Sequence, residues 1–381
     1  MSGGMLPLRG FRVLEHAKGV AAAYAGRLLA TMGAQVIMAE PAEGCRLRHE
    51  PPFLAGGEVS ALFASLALGK QSVVCAPGEP GFDALLARAD VFIDDTPVAE
   101  RASGPLDPDR ISAAHPRLIY VSVLPFGAAG GKAGWKGEEV TVMHSGGEGN
   151  LLPNGLNLEL FPGRAPLKMY GNFAQMQAGV AAALAALSAG LSVSALGGQF
   201  VDIAEQDVSV ALSAMAVQRL GDGVLEHRTT RSFRWGGVFP CADGHIELVT
   251  AEERQWQGLV QLVGSPAWMD DPELSDPAGR GRRGPEVNRE IRAWAAGRPA
   301  AELVAAGQAA GVPVAKYREP GEIVAGEHEQ VRGLFAPAAI PGVGTLPVLV
   351  APMQMNGAPI PSPGDPPVLG ANQSLLAEAV R

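Results

Sequence analysis

The sequence predicts an α/β fold in which a parallel sheet is covered by helices on both faces. In the first 125 residues, short β-type runs alternate with segments whose apolar residues recur at helical spacing. The β-type runs are continuously apolar, as expected for strands buried on both faces. The 49 glycines and 31 prolines are spread along the 381 residues, which favours many short elements over disorder.

The elements of this first region follow one another in strand–helix order. Gly33 stands where the first helix should end. Strands are predicted at 11–15, 35–39, 72–75, 91–93 and 118–123, and helices at 22–32, 59–68, 82–89 and 108–114.

Further along, a Gly-rich connection at 126–134 precedes an alanine-rich helix at 175–189, a strand at 198–203 and a helix from Glu205. The sequence pattern then changes. Strands are predicted at 245–249 and 313–316, and four of the five tryptophans lie between them or nearby. From 330 the chain is Pro-rich, and a last helix covers 373–380. We predict a large Rossmann-like domain at 1–225, a smaller α+β domain at 226–330 and a C-terminal segment, 331–381, that returns to the large domain.

The composition excludes several classes of function. A net charge of −9 argues against a nucleic-acid binder. The three cysteines are far apart and in no metal-like spacing, so neither a disulfide framework nor a metal site is expected. The longest small-apolar run, 178–190, is shorter than the ~20 residues of a spanning helix. With no export signal at the start, a cytoplasmic protein without membrane contact is expected.

The turn after the first strand is a candidate nucleotide site. It contains Gly19, Val20 and Ala21, but it is not a G-x-G-x-x-G sequence, so a nicotinamide dinucleotide (NAD) is not expected. Its backbone could still approach a phosphate at the start of a helix. Close packing of a helix on the sheet explains the small residues equally well.

Few residues are candidates for catalysis. Glu138 and Glu139 follow Lys136 between Gly-rich turns, where a carboxylate could serve as base or nucleophile; the alternative is a solvated surface turn. His144 is a candidate proton carrier, although a structural histidine is the commoner case. Gly236 and Gly237 could form a mobile lid or a hairpin turn.

An ordered set of segments is similar to the family III CoA-transferases, which include formyl-CoA transferase, carnitine CoA-transferase and the α-methylacyl-CoA racemases. The matching segments are LRGFRVLE at 8–15, YAGRLLA at 24–30, GAQVI at 33–37, LGKQSV at 68–73, ADVFI at 89–93, GGQFVDI at 197–203, FPCADGH at 239–245, AAGVPVA at 309–315 and EHEQVR at 327–332. No single segment is decisive, but together they cover nearly the whole chain in family order.

The resemblance implies two interlocked subunits and CoA thioesters as ligands, with an acyl-CoA and a carboxylic acid as substrates. It places the nucleotide near Gly19, Val20 and Ala21. By the same resemblance Lys70 and Lys136 match lysines near coenzyme A. Glu139 matches an active-site glutamate, and Gly236 and Gly237 match a glycine loop over the site. Asp95 stands where many members have asparagine, and a carboxylate there would weaken nucleotide binding.

One departure from the family pattern concerns the nucleophile. The family's aspartate, which attacks the acyl-CoA carbonyl, is replaced here by Gln175. A neutral amide offers hydrogen bonds but no anionic nucleophile. The usual racemase chemistry is disfavoured for the same reason.

Three functions therefore stay open. The first is an acyl-CoA transferase whose nucleophile is Glu139 or Glu138. The second is a non-catalytic CoA-thioester-binding subunit, paired with an active homologue in a heterodimer instead of the expected homodimer. The third is a dehydratase, hydratase or isomerase that uses Glu139 or His144 as its acid–base group, with Gln175 orienting the thioester. We expect the loop at 148–166 to line the substrate pocket.

Overall fold

A computed structural model describes residues 6–152, 163, 167–223 and 235–381. The chain divides into two compact units. Unit 1 consists of residues 1–148, 169–213 and 324–381, and unit 2 of residues 149–168 and 214–323. The boundary predicted near 225 and residues 153–162 and 164–166 of the predicted substrate loop lie outside the described residues. The predicted domain boundaries therefore stay predictions.

Unit 1 is built on a six-stranded sheet in which every neighbouring pair of strands is parallel. The strand order is β3-β2-β1-β4-β5-β6, which is that of a doubly wound nucleotide-binding sheet. The strands are β1 (Arg12–His16), β2 (Gln35–Glu40), β3 (Gln71–Val74), β4 (Val91–Asp94), β5 (Ile119–Leu124) and β6 (Phe200–Ala204). Because β4 and β5 are buried along their whole length, their sequences are apolar at almost every position. The predicted α/β fold with a parallel sheet is confirmed.

The helices of unit 1 occupy both faces of the sheet. They are α1 (Val20–Thr31), α2 (Ala61–Leu66), α3 (Pro80–Arg88), α4 (Val98–Arg101), α5 (Pro108–Ala114), α6 (Glu139–Ser145), α7 (Phe173–Leu196) and α8 (Glu205–Leu212), with a 3₁₀ turn at Arg46–His49. The predicted helix at 175–189 is part of the 24-residue helix α7. Helix α6 has no predicted counterpart, since only three apolar residues, Val140, Val142 and Met143, mark it.

Small residues let α1 and α7 pack in close contact. A Cβ atom added at Gly179 of α7 would lie 2.6 Å from the carbonyl oxygen of Ala21 in α1. Ala178 and Ala182 on the same face of α7 are completely buried. The small residues of α1 are thus explained at least in part by helix packing.

By length and composition alone, α7 could also cross a membrane. A single helix of this kind is weak evidence, because core helices of many proteins pass the same test. The expectation that the protein makes no membrane contact stays a prediction.

The C-terminal segment packs on unit 1. It contains the hairpin β10 (Phe335–Ile340) and β11 (Gly344–Leu349), the short pair β12 (Gln354–Met355) and β13 (Ala358–Pro359), helix α17 (Glu327–Val331) and the last helix α18 (Ser374–Val380). The side chain of Gln373 accepts a hydrogen bond from the amide of Val74 at 2.9 Å and donates to its carbonyl at 2.8 Å. The segment therefore covers the exposed edge strand β3, which would otherwise be free to pair with another chain.

Unit 2 has its own core around a three-stranded antiparallel sheet. Its strands are β7 (Gly237–Cys241), β8 (Gly244–Leu248) and β9 (Val314–Lys316). Its helices are α9 (Ala214–Gln218), α10 (Glu253–Val263), α11 (Pro266–Met269), α12 (Pro272–Ser275), α13 (Pro277–Arg282), α14 (Gly284–Ala295), α15 (Ala300–Ala309) and α16 (Pro320–Val324), with 3₁₀ turns at Arg219–Asp222 and Glu148–Leu151, the second of which starts in unit 1. Trp256 stacks on Trp268 in this core with ring centroids 5.5 Å apart.

Candidate active site

The candidate site lies at the carboxyl ends of four adjacent strands of unit 1. In doubly wound sheets, ligands bind where the strand order reverses, which here is between β1 and β4. The turn at Gly19 follows β1, and Asp95 follows β4. Glu205 directly follows β6, and Glu139 begins α6 after the loop that leaves β5. Residues from four separate segments thus meet at one edge of the sheet.

The predicted nucleotide turn is capped by a carboxylate. Asp95 accepts hydrogen bonds from the backbone amides of Lys18, at 2.9 Å, and Gly19, at 2.6 Å. Gly19 precedes α1, whose first residues, Val20 and Ala21, are buried. Burial, followed by the charge of the neighbouring Asp94, raises the pKa of Asp95 to about 7. The amides that would attract a phosphate therefore already hold an acidic side chain.

Glu139 is buried at the amino end of α7. Its carboxylate accepts one hydrogen bond from the amide of Ala174 and one from the amide of Gln175, both at 3.0 Å. These are amides of the first turn of α7, which have no acceptor within the helix. The N-cap residue, Asn172, supplies no capping hydrogen bond of its own. Glu139 performs this role from another helix, with one carboxylate oxygen on each of the two amides.

Gln175, at the position of the family's aspartate, contacts Glu139 through its backbone amide. The Gln175 side chain is buried, and its carbonyl oxygen accepts a hydrogen bond from the side-chain NH₂ group of Asn172 at 2.8 Å. That contact orients the remaining NH₂ group of Gln175, which has two protons to donate.

Glu205, the first residue of α8, completes the site. Only 5% of its surface is exposed, and no hydrogen-bond partner for its Oε2 atom exists among the described residues. Burial raises the pKa of Glu205 to about 8, and the charges of Asp95 and Glu139 act in the same direction. A hydrogen bond from the Gln175 side chain has the opposite effect on this pKa.

The other candidates near Glu139 are exposed. The Glu138 carboxylate lies 3.3 Å from the Arg46 guanidinium, and Glu138 also caps α6 in a reciprocal arrangement with Thr141. His144 lies on the exposed side of the last turn of α6, and Lys136 is exposed in the preceding loop. The structure thus places Glu139 inside the site and Glu138 on the surface.

Lys70 is buried within the fold. Its ammonium group donates to both oxygens of Glu15, at 2.8 and 2.7 Å, and to the carbonyl oxygen of Ala23 at 2.8 Å. A Cβ atom at Gly26 would lie 1.7 Å from the Glu15 carboxylate, so α1 can pass over this ion pair only with glycine there. All three ammonium protons are used, and contact with coenzyme A would require the ion pair to break.

Gly236 and Gly237 lie at the start of β7 in unit 2. The amide of Gly236 donates to the Asn288 side chain at 2.8 Å, and its φ angle of +86° is one that glycine adopts without strain. A Cβ atom there would lie 2.7 Å from the carbonyl oxygen of Leu248. The two glycines thus stand at the open end of a β-hairpin whose turn lies at Ala242 and Asp243, so they do not form the hairpin turn itself.

Sequence analysis identified Glu205 only as the start of a helix. Glu205 and Gln175 are 30 positions apart, and only the pairing of β6 with β5 brings α8 to the start of α7. The one available signal was an acidic residue directly after a predicted strand, at the sheet edge where ligands bind.

Comparison with known proteins agrees with this architecture. The family model described as CoA-transferase family III matches residues 8–373. The chain is 28% identical to the succinate–glutarate CoA-transferase of Agrobacterium fabrum, over 98% of this chain and 95% of the relative. It is 30% identical to a probable CoA-transferase of Mycobacterium tuberculosis over 84% of this chain, and there the match spans 41% of the relative's length.

Solved structures show the same fold. The crystal structure of a CAIB/BAIF family protein from Brucella suis superposes with a TM-score of 0.84 at 23% identity, covering 99% of this chain and 100% of the other. On the match of the family model across nearly the whole chain, this protein belongs to CoA-transferase family III.

Proposed function

We propose that the protein is an acyl-CoA transferase that moves coenzyme A between an acyl-CoA thioester and a carboxylic acid, with Gln175 in place of the nucleophilic aspartate. The single observation that supports this most is the contact between Glu139 and the first turn of α7, where the Glu139 carboxylate accepts the amide of Gln175 itself. A carboxylate oxygen of Glu139 is thereby held in contact with Gln175, the residue at the position of the missing aspartate.

In this proposal Glu139 is the nucleophile. Its two backbone hydrogen bonds use one lone pair on each oxygen, and a carboxylate has about four acceptor positions. The carboxylate attacks the thioester carbonyl to give a mixed anhydride, and the thiolate then attacks the glutamyl carbonyl to give an enzyme thioester. The acceptor carboxylate repeats these steps in reverse order. The Gln175 amide donates a hydrogen bond to the thioester carbonyl oxygen as charge develops on it.

Glu138 is the weaker candidate for this role. Its side chain is 62% exposed, it pairs with Arg46, and it caps α6. A mixed anhydride formed on an exposed residue would be in contact with water and would be hydrolysed.

The substrate class to test first is the dicarboxylates. Curated relatives are named for succinate and glutarate, for succinyl-CoA and mesaconate, and for formyl-CoA and oxalate. The test incubates the protein with succinyl-CoA and each of these acids, and then traps acyl intermediates with hydroxylamine. We expect transfer to at least one acid and a hydroxamate on Glu139 located by peptide mapping, which the E139Q variant lacks.

The alternatives give different results in the same experiment. Binding of CoA thioesters without any transfer by the isolated protein would favour a non-catalytic subunit. Hydration or isomerisation of the thioester without exchange would favour a dehydratase, hydratase or isomerase. Transfer with full activity in E139Q would refute the assignment of Glu139.

A homodimer is part of this proposal. One face of α7 carries large apolar side chains that are exposed in the single chain, with Leu184 64% and Leu191 91% exposed. Val201, on the neighbouring edge strand β6, lines the same shallow groove as Leu184. Exposed apolar side chains grouped on one face in this way are typical of a subunit interface. Light scattering should give a dimer, and the double variant L184E/L191E a monomer or an insoluble chain.

A cytoplasmic location is also proposed. Cys45 and Cys75 are buried free thiols, and burial raises their pKa values to about 12 and about 11. Such thiols are compatible with a reducing compartment.

A further inference from the structure

Glu205 presents a buried polar atom that the structure leaves without a partner. The side chain is 5% exposed, and its Oε2 atom has no hydrogen bond within the described part of the chain. Burying a polar group without a partner costs roughly 1–3 kcal/mol, and burying an unpaired charge costs more. An atom of this kind at the edge of a ligand site is explained if a ligand group completes its hydrogen bonding.

The groups that face Glu205 decide its protonation state. Asp95 after β4 and Glu139 at the start of α6 are acidic and partly or fully buried, and the more distant Glu138 adds a smaller effect of the same sign. Gln175 of α7 is neutral and donates a hydrogen bond. Because the dominant effect, burial, and the three acidic neighbours all favour the neutral form, Glu205 is a carboxylic acid near neutral pH.

We propose that Glu205 is a second catalytic residue, a carboxylic acid that protonates the departing sulfur of coenzyme A and recovers the proton when that thiol attacks again. The inference rests on the proposed transferase function and on Glu139 as the nucleophile. It assigns different roles to two carboxyl groups of the site, a nucleophile that accepts two helix amides and a buried acid whose Oε2 atom has no partner in the described part of the chain.

The proton and electrons balance in each step. When the Glu139 oxygen bonds to the acyl carbon, the carbon–sulfur bond breaks and its electron pair stays on sulfur. Glu205 gives its proton to that sulfur, which leaves a thiol and a Glu205 carboxylate. When the thiol attacks the glutamyl carbonyl, the proton returns to Glu205 as the new carbon–sulfur bond forms and the original acid leaves as a carboxylate.

The acidities of the two partners are matched. A free thiol has a pKa of about 8.5, close to that of Glu205 in this environment. Proton transfer between groups of similar pKa is efficient in both directions, and this reaction needs both directions because the sulfur of coenzyme A first leaves and then attacks. Without such a donor, a thiolate would be released near the carboxyl group of Asp95, whose negative charge, when ionised, opposes it.

The test compares the wild type with E205Q, E205D and the control D207N over pH 6–9. Asp207 is an exposed acid in the same first turn of α8, so D207N makes the same chemical change to the same helix outside the site. We expect wild-type transfer to fall above about pH 8, as Glu205 ionises. E205Q should lose about 10²- to 10⁴-fold in kcat and lose this alkaline limb, E205D should recover part of both, and D207N should match the wild type.

An infrared measurement tests the protonation state independently of activity. Wild type minus E205Q should show a carboxylic acid band at pH 7 that disappears by about pH 9. Absence of this band, or an E205Q enzyme with the rate and pH profile of the wild type, would overturn the proposal and leave the transferase function standing. A wild type that transfers coenzyme A at no pH would instead refute the proposed function.

Discussion

The replacement of Glu205 by glutamine should change how the stability of the protein depends on pH. Glu205 is the most strongly perturbed carboxyl group of the site, with a pKa raised from 4.5 to about 8, mainly by burial. In the unfolded chain the group ionises near 4.5, whereas in the folded protein it keeps its proton up to about 8. The stabilisation that this proton provides is complete below pH 4.5 and is lost as the pH rises through the folded value.

The size of the effect follows from the size of this difference. Each pH unit over which only the folded state holds the proton is worth 1.36 kcal/mol, which gives about 5 kcal/mol as an upper value between pH 4.5 and 8. Water entry and shared protons among neighbouring carboxyl groups reduce it, so we expect about 2–4 kcal/mol. Glutamine has no ionisable group, so E205Q should gain this amount relative to the wild type between pH 5 and 8.5.

The assay is denaturant unfolding followed by circular dichroism at pH 5 and at pH 8.5. All samples have the same protein concentration, because the unfolding midpoint of an oligomer depends on concentration. D207N provides the matched control, and its difference from the wild type should stay constant. If wild type and E205Q lose or gain stability in parallel between the two pH values, then Glu205 is ionised in the folded protein and the argument from burial is wrong.

Three further changes follow from the same structure. D95N removes the acidic cap of the turn at Gly19 and should tighten coenzyme A binding about 3- to 10-fold at pH 8, measured by calorimetry; equal affinity would show that the nucleotide binds elsewhere. K70M leaves the Glu15 carboxylate buried without its cation and should cost about 3–5 kcal/mol in the free energy of unfolding, whereas the double variant K70M/E15M should recover most of that loss; a stable K70M would contradict the assignment of a buried ion pair. G179A should cost about 1–3 kcal/mol because its Cβ atom would lie 2.6 Å from the Ala21 carbonyl oxygen, whereas G190A in the same helix meets no atom closer than 3.8 Å and should stabilise by up to ~1 kcal/mol; two changes of the same sign would refute the packing argument.

Local patterns were sufficient for most of the sheet. The strands predicted at 35–39 and 91–93 are present at Gln35–Glu40 and Val91–Asp94, and the helix at 108–114 has the observed bounds of α5. Such elements are visible because each strand is buried on both faces and each helix repeats its apolar residues regularly. The short helix α6 was missed because its start depends on the capping of Glu138 by Thr141, and not on a repeated pattern.

The site was only partly accessible to the same reasoning. Glu139 and Gln175 could be paired because both occupy positions that the family resemblance marks. The sequence could not distinguish the buried Glu139 from the exposed Glu138, since adjacent residues differ in burial only through the direction in which α6 leaves its loop. Nor could the sequence show that Lys70 forms a buried ion pair with Glu15, 55 positions away.

The amino-acid sequence by itself determined the fold class, the family and the loss of an anionic group at Gln175. Each of these follows from the identity of particular residues or from local periodicity. The tertiary structure decided which acids lie near one another and which of them are buried. Those properties depend on burial and on distances between segments far apart in the chain: Asp95 reaches the amide of Gly19 across the sheet, and Glu205 comes to Gln175 only once β6 has paired with β5.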